Sequence, residues 1–507
     1  MGTPPMNDDG PRVILHLGLG SFHRAHQAAY LQRLIDRGDT TWSITAGNLR
    51  PDNEAVAAAL ARQGGRYTLE TVAPDGRRDY QRIESIRRVI AWQPDLAPLI
   101  DVAADAATRI VSFTVTEAGY HLDAEGRLDT ASAEVVADLA GARRGEAGTT
   151  IYGALTALLR ARMARGTGPL TLLSCDNLRH NGERLRAALT CFIEAVGDAA
   201  LLDWVRAHTR CPSSMVDRIT PRPTLEVCER VRRATGLDDE AAVMSESFIQ
   251  WVIEDDFRHG RPAWESVGVE MVDSVTPYEE AKIRLLNATH SAIAWAGALA
   301  GHGFIHEAVA DPAVRRLAHD YATVDAIPAL QPSPLDLAAY RDSVLARFGN
   351  AVLADTVQRV ASDSWAKLGG FVAPTIRDRL GGGATIDAVA VLPALYLAFL
   401  QRWRQGGLPF GYVDGAIGAE ALRALCDAGD PVAVLCGAPG LWGPLAGDER
   451  LVAAVRRAAR AVELAWPQFG GATTAVTSGA NRRRGRPDPT RTTTPSRPGR
   501  RGRCAGR

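Results

Sequence analysis

Two rhythms of apolar and polar residues divide the chain. In the first, short apolar runs alternate with amphipathic stretches. Residues 13–17 read as a buried strand, and 24–37 carry Ala, Tyr and Leu at helical spacing. Residues 42–46 read as a second strand and 54–63 as a second helix; 109–116 and 170–174 are further β-rich apolar runs bounded by loops. Strands alternating with helices predict a mainly parallel sheet covered on both faces, hence an α/β fold class. From about Met271 onward the helical rhythm takes over. Residues 281–301, 311–322, 336–348, 351–362, 388–405, 419–428 and 449–465 predict helices, with few strands between them. The expected layout is an N-terminal arm (1–11), an α/β domain (12–271), a mostly α-helical C-terminal domain (272–467) and a tail (468–507). A ligand cleft is expected where the two domains meet. Residues 478–507 are rich in Arg, Thr, Pro and Gly. They cannot bury enough apolar surface to offset chain entropy, which predicts disorder.

Composition narrows the classes. A chain of 507 residues fits two domains better than one. Formal net charge is zero, so no global pull toward nucleic acid or membrane operates. The tail is basic but lacks interleaved aromatic residues, so nucleic acid is not an expected partner. Seven cysteines, an odd number without paired spacing, point to free thiols in a reducing cytoplasm. The longest apolar run, 292–300, is far short of the ~20 residues of a membrane span. No HExxH-like cluster is present, so no metal is expected. The sequence is compatible with a monomer or a dimer.

The candidate chemistry centres on K-I-R-L-L-N-A-T-H. On a helix turning about 100° per residue, Lys282, Asn287 and His290 fall within roughly 140° of arc, and Glu279 falls inside it. The helix that follows is small and apolar all round, which predicts burial and turns the polar arc toward an interior cleft. An amine, an amide and an imidazole in such a cleft can move protons. A second signal is Gly18-Leu19-Gly20-Ser21-Phe22-His23-Arg24, which closes the first strand and opens the first helix. Its glycines let the backbone approach a pyrophosphate. His23, Arg24 and His26 crowd this turn as candidates for neutralising phosphate charge. Three more polar clusters end predicted strands: Gly47 to Asp52, Thr114 to Tyr120 (with Thr116 and Glu117), and Ser174 to Asn177. In an open parallel sheet that edge binds ligands. Asp52 is placed to accept the adenosine ribose hydroxyl of NAD, whereas Arg50 nearby would favour a 2′-phosphate.

Together G-x-G-S-F-H-R-A-H-Q, T-V-T-E-x-G-Y, S-C-D-N, M-V-D-R-I-T-P (Met215 to Pro221) and K-x4-N-x2-H resemble the polyol-specific long-chain dehydrogenases, the mannitol dehydrogenase family, over residues 12 to 467. The resemblance implies an expanded Rossmann-type N-terminal domain, NAD as cofactor, and metal-independent oxidation of a secondary alcohol on an acyclic polyol to a ketose. It implies that Lys282 is the general base and that Asn177 and Asn287 bind the reacting oxygen. His290 corresponds to a ligand of that oxygen or its neighbour, and Glu279 to a carboxylate that passes protons to solvent. Val216, Asp217, Arg359 and Lys367 match positions that hold the remaining hydroxyls. Mannitol-oxidising relatives carry a histidine where this chain has Ser362, which favours a pentitol over mannitol. A hexuronate-reducing relative is the other enzymatic reading, with Arg359 on a carboxylate. A non-catalytic dinucleotide-binding regulator is the reading from another class, and the intact Lys-Asn-His set argues against it.

Overall fold

A computed structural model describes residues 11–466 except Ala124; the expected basic tail, and the N-terminal arm up to Gly10, lie outside the described residues. Six strands form one parallel sheet: β1 (Arg12–Leu17), β2 (Trp42–Gly47), β3 (Ile86–Ile90), β4 (Thr108–Phe113), β5 (Leu170–Ser174) and β6 (Thr209–Arg210). Their spatial order is β3-β2-β1-β4-β5-β6, the doubly wound Rossmann arrangement. The order reverses between β1 and β4, which pair Leu15 with Val111 and Leu17 with Phe113.

Alternation along each strand serves two cores. Leu15, Leu17, Val111, Phe113, Leu170 and Leu172 face one side, against the helices Ile151–Arg165 and Asn181–Val196. Ile14, Ile44, Ile110 and Leu173 face the other, against the helix Gln27–Asp36 and Trp251 and Trp264. A sheet covered on both faces explains why β4 and β5 are buried along their whole length.

The expected strand over 109–116 stops at Phe113, where Thr114 to Thr116 leave the sheet as a polar turn. The expected helix over 24–37 starts earlier, at Ser21, and breaks at His26 into Ser21–Ala25 and Gln27–Asp36. Two smaller sheets were not foreseen. Tyr67–Val72 pairs with Arg78–Ile83 and Val243–Glu246, and Gln250–Glu254 pairs with Ser214–Asp217 and Glu270–Val272.

Beyond Val272 the described chain is helical. Ala288–Ala300 is buried almost throughout its length and packs against Ile305–Ala310, Val357–Ala361 and Val391–Arg404. The single helix expected over 351–362 is instead a short 3-10 turn, Ala351–Leu353, and a helix Val357–Ala361. Ala354 takes a left-handed conformation between them, and the Thr356 hydroxyl caps the second helix by accepting from Arg359 N–H at 3.2 Å. Arg347, on the helix Leu337–Phe348, crosses to the strands. Its guanidinium is buried on Asp217 (2.7 and 2.9 Å) and Glu246 (2.7 and 3.0 Å). Among the described residues no helix is long and apolar enough to cross a membrane.

Candidate active site

The reversal between β1 and β4 opens into a groove of about 790 Å³ lined by Gly18, Gly20, Ser21, Phe22, Asn48, Asp52 and Thr116. Gly18 holds φ +121°, and a Cβ there would lie 2.9 Å from the carbonyl oxygen of Thr114, so only glycine fits the turn. A Cβ on Gly20 would meet nothing within 4 Å, which leaves open space above the backbone for a ligand. Asn48 braces this end: its Oδ1 accepts from Leu19 N–H (2.8 Å), and its Nδ2 donates to the Asp52 carbonyl (2.9 Å).

The phosphate-neutralising role expected of His23, Arg24 and His26 is corrected here. All three are buried behind the turn, not in the groove. His23 stacks on His16 with ring centroids 3.4 Å apart, and His16 Nδ1 lies 2.8 Å from the Ser112 hydroxyl. Burial, helped by the Arg24 charge, pushes His23 down to about 3, so it carries no positive charge at neutral pH. His26 is likewise pushed down to about 3 by burial; one ring nitrogen meets the Gln250 carbonyl (2.9 Å) and the other meets Gln27 (3.0 Å). Arg24 donates to the Ala241 carbonyl and lies over the Tyr67 ring. These side chains fasten the first helix to the sheets beneath it.

A second, smaller cavity of about 210 Å³ lies at the turn that follows β4, where Glu117 on its wall is next in the chain to Thr116 of the groove. Thr116 has φ +67° there, and Asp176 holds the turn by accepting from the N–H groups of Val115 (3.1 Å) and Thr116 (2.8 Å) and from the Tyr120 hydroxyl (3.1 Å). Burial raises Asp176 to about 6 in spite of these donors. It stood in the S-C-D-N cluster without an assigned role; its position beside Asn177 was the available signal. Glu117, raised by burial, lines the smaller cavity from this turn.

Lys282, Asn287, Asn177, Val216 and Glu279 line the same cavity. Lys282 Nζ is buried and donates to Asn177 Oδ1 (2.5 Å) and the Val216 carbonyl (2.7 Å). Burial pulls its pKa down; Asp217 opposes that pull, and Arg347 reinforces it. Lys282–Asn287 forms a π-helical turn, so the fixed 100° step does not hold there. With i→i+5 bonding, Asn287 comes about one turn after Lys282, and both reach one cavity. Glu279 sits one turn earlier, accepts from His180 N–H (3.1 and 3.2 Å), and is raised by burial.

The other expected residues are partly drawn elsewhere. His290 stacks on Phe348 (4.4 Å), and its Nε2 lies 3.2 Å from Asp355 Oδ2. Burial lowers its pKa against the pull of Asp355. Arg359 is 68 % exposed, and its fork is occupied by Asp355 (2.7 and 2.6 Å). Lys367 donates to the carbonyls of Val360 (2.9 Å) and Ser362 (2.5 Å). Asp217 is engaged by Arg347. The structure thus brings Val216 to the cavity, while Asp217, Arg359 and Lys367 already hold protein partners. Asp355 and Arg347 were missed because no local pattern in the sequence marks them. Arg179 and Phe371 also line the cavity.

Two family models match the chain: the mannitol dehydrogenase Rossmann domain over residues 12–266 and the mannitol dehydrogenase C-terminal domain over residues 274–463. The chain is 57 % identical over 457 residues to the D-arabinitol 4-dehydrogenase of Ralstonia nicotianae, covering 90 % of this chain and 97 % of the relative. It is 50 % identical over 448 residues to the D-arabinitol 4-dehydrogenase of Klebsiella pneumoniae, covering 88 % and 97 %. Among solved structures, the Pseudomonas fluorescens mannitol 2-dehydrogenase, in a ternary complex with NAD and D-mannitol, superimposes with a TM-score of 0.76 at 35 % identity, covering 91 % and 93 % of the two chains.

Proposed function

The chain belongs to the mannitol dehydrogenase family and is a polyol dehydrogenase, and from that premise we propose that it oxidises D-arabinitol at C4 to D-xylulose with NAD, using Lys282 as general base. The substrate choice rests on the two D-arabinitol 4-dehydrogenases. The cofactor choice rests on the Rossmann groove and on the NAD complex of the mannitol 2-dehydrogenase.

The observation that carries the mechanism is the hydrogen bonding of Lys282. Both of its partners, Asn177 Oδ1 and the Val216 carbonyl, are acceptors. A neutral amine satisfies them with its two N–H bonds and keeps a lone pair; an ammonium carries a third proton that these two partners leave unmatched. Burial favours the neutral form. The lone pair is then available to take the proton of a substrate hydroxyl in the cavity that Lys282 lines. Because Asn177 spends its oxygen on Lys282, its Nδ2 remains as a donor. With Asn287 it stabilises the developing alkoxide, a contribution of about 3 kcal/mol per well-placed donor. Glu279 lies one turn from Lys282 in the same cavity, its carboxylate steered by His180 N–H, and relays the proton outward.

The residues present fit the dinucleotide: the Gly18–Phe22 turn would take the pyrophosphate and Asp52 the adenosine ribose, and Thr116 of the groove, with Glu117 of the adjoining cavity, would flank the nicotinamide. When bound, NAD supplies the hydride acceptor.

The test is Lys282→Ala. Turnover of D-arabinitol falls by about 10²–10⁴, while the dissociation constant of NAD, measured by fluorescence titration, stays within a factor of about three, since Lys282 does not line the groove. Turnover within tenfold of the parent would remove Lys282 from the role of base. In parallel, rates with D-arabinitol, D-mannitol and D-sorbitol, and with fructuronate in the reducing direction, identify the substrate. A preference for any compound other than D-arabinitol overturns the assignment.

A further inference from the structure

The rim of the groove carries a charge arrangement that hydride transfer does not require. Arg50 lines the groove two residues before Asp52. Its Nη2 donates to Glu134 Oε2 at 2.8 Å and its Nε to the Thr149 carbonyl at 3.3 Å. Glu134 lines the groove as well, from the first turn of the helix Ala133–Arg143. The same Oε2 lies 3.2 Å from Nε2 of His121, a third lining residue. The Arg50 and Glu134 side chains are 41 % and 50 % exposed, so their pairing adds little stability. It does fix where the guanidinium points.

We propose that Glu134 is a specificity-determining residue that holds the Arg50 guanidinium away from a 2′-phosphate and so makes the groove select NAD over NADP. This inference rests on the dinucleotide reading above. NADP differs from NAD by a phosphate on the adenosine 2′-oxygen. A carboxylate beyond the second strand of such a sheet receives the ribose hydroxyls, which places that oxygen beside Asp52 and Arg50. Against the single charge of Arg50 stand Asp52 and Glu134, so the rim carries one excess negative charge. An incoming phosphate meets two carboxylates and a guanidinium that already spends its Nη2 on Glu134 and its Nε on the Thr149 carbonyl. Discrimination of this kind comes from what the rejected ligand lacks, namely a partner for its charge.

Glu134→Gln keeps the side-chain shape and removes the charge. The ratio of kcat/KM for NADP to that for NAD is expected to rise about tenfold or more, and direct titration is expected to show tighter, more salt-sensitive NADP binding. Glu134→Asp, which keeps a carboxylate, stays near the parent ratio. The double variant Arg50→Gln/Glu134→Gln loses the gain, because the effect acts through Arg50. An unchanged ratio in Glu134→Gln, or equal changes in affinity for both dinucleotides, overturns the inference and leaves the NAD assignment standing. A parent protein that already prefers NADP overturns the NAD assignment and this inference with it.

Discussion

Lowering the pH from 7 to 5.5 is expected to destabilise the native protein by about 1–2 kcal/mol, with the loss arising behind the glycine turn. His23 and His26 are both held down to about 3, first by burial. In the unfolded chain each returns to about 6.5. The folded value lies below the unfolded one, so between roughly pH 6.5 and 3 the unfolded state binds more protons and stability rises with pH. Above pH 6.5 the two states bind equally and the effect vanishes. At pH 5.5 each unfolded imidazole has gained about RT ln 11, or ~1.4 kcal/mol, that the native state cannot match; at pH 7 the same gain is ~0.2 kcal/mol. Two imidazoles therefore give ~2.4 kcal/mol. His16 and His290, also lowered by burial, act in the same direction. Carboxylates held low, such as Asp355 at about 2, stabilise above their unfolded value and lose that contribution only as pH falls below about 4. Asp176, raised by burial to about 6, takes up its proton in the native state over the same window and offsets ~0.8 kcal/mol of the loss at pH 5.5, so the net is ~1.6 kcal/mol; Glu117 and Glu279, also raised by burial, act in the same sense as Asp176. Urea titrations at pH 7.0, 6.5, 6.0 and 5.5, followed by the fluorescence of the ten tryptophans, measure it. His23→Asn should flatten the pH dependence by about half of the two-histidine effect, whatever it does to absolute stability. An unchanged slope in His23→Asn would mean that this ring is charged in the native state. The phosphate-neutralising role would then have to be restored.

Three further outcomes follow from the same geometry. Arg347→Met leaves Asp217 and Glu246 buried without a counter-charge, so the urea midpoint falls by the equivalent of about 3–5 kcal/mol. It also removes a cation that lowers Lys282 and exposes Lys282 to Asp217, so the acidic limb of kcat/KM against pH moves to higher pH; a limb that stays in place disconnects Arg347 from the base. Gly18→Ala forces a Cβ against the Thr114 carbonyl at a left-handed φ, and NAD affinity measured by titration drops about tenfold or more, consistent with ~1–3 kcal/mol of strain. Asp355→Asn removes the carboxylate shared by His290 and Arg359, neither of which lines the cavity, so the urea midpoint falls while kcat stays within about threefold; a tenfold loss of kcat at unchanged NAD affinity would return His290 to the catalytic site.

The doubly wound sheet was legible because β1, β2 and β5 are short apolar runs separated by helical patterns, and a sheet covered on both faces requires such runs. The hairpin of Tyr67–Val72 and Arg78–Ile83 was not, since R-D-Y-Q-R-I places charges on a half-exposed surface where no apolar alternation develops. In the site, Lys282, Asn287 and Glu279 could be grouped from spacing along one segment, and Asn177 and Glu117 from their places at strand ends. Arg347 could not be linked to Asp217, 130 residues away, because a buried ion pair leaves no local trace. His23 was misjudged for a related reason: a histidine beside a glycine turn looks the same in sequence whether it faces the ligand or the core, and here His16 on the adjacent strand receives it. Arg359 and Lys367 have the residue types a sugar site needs, but the break of the helix at Ala354 gives Asp355 and the carbonyls of Val360 and Ser362 first claim on them.

The π-helical turn from Lys282 to Asn287 holds one more residue than an α-helical turn would. Deleting one of the residues between them would close the bulge to an ordinary α-helical turn, with Lys282 and Asn287 four apart on one face and Ala288–Ala300 near its present phase. The helix Ala288–Ala300 has no such surplus residue. A deletion within it would turn everything that follows by about 100° with a 1.5 Å retreat and drive its packed face out of its neighbours. Libraries that shorten the chain by one residue should return active clones from the bulge and none from the helix after it.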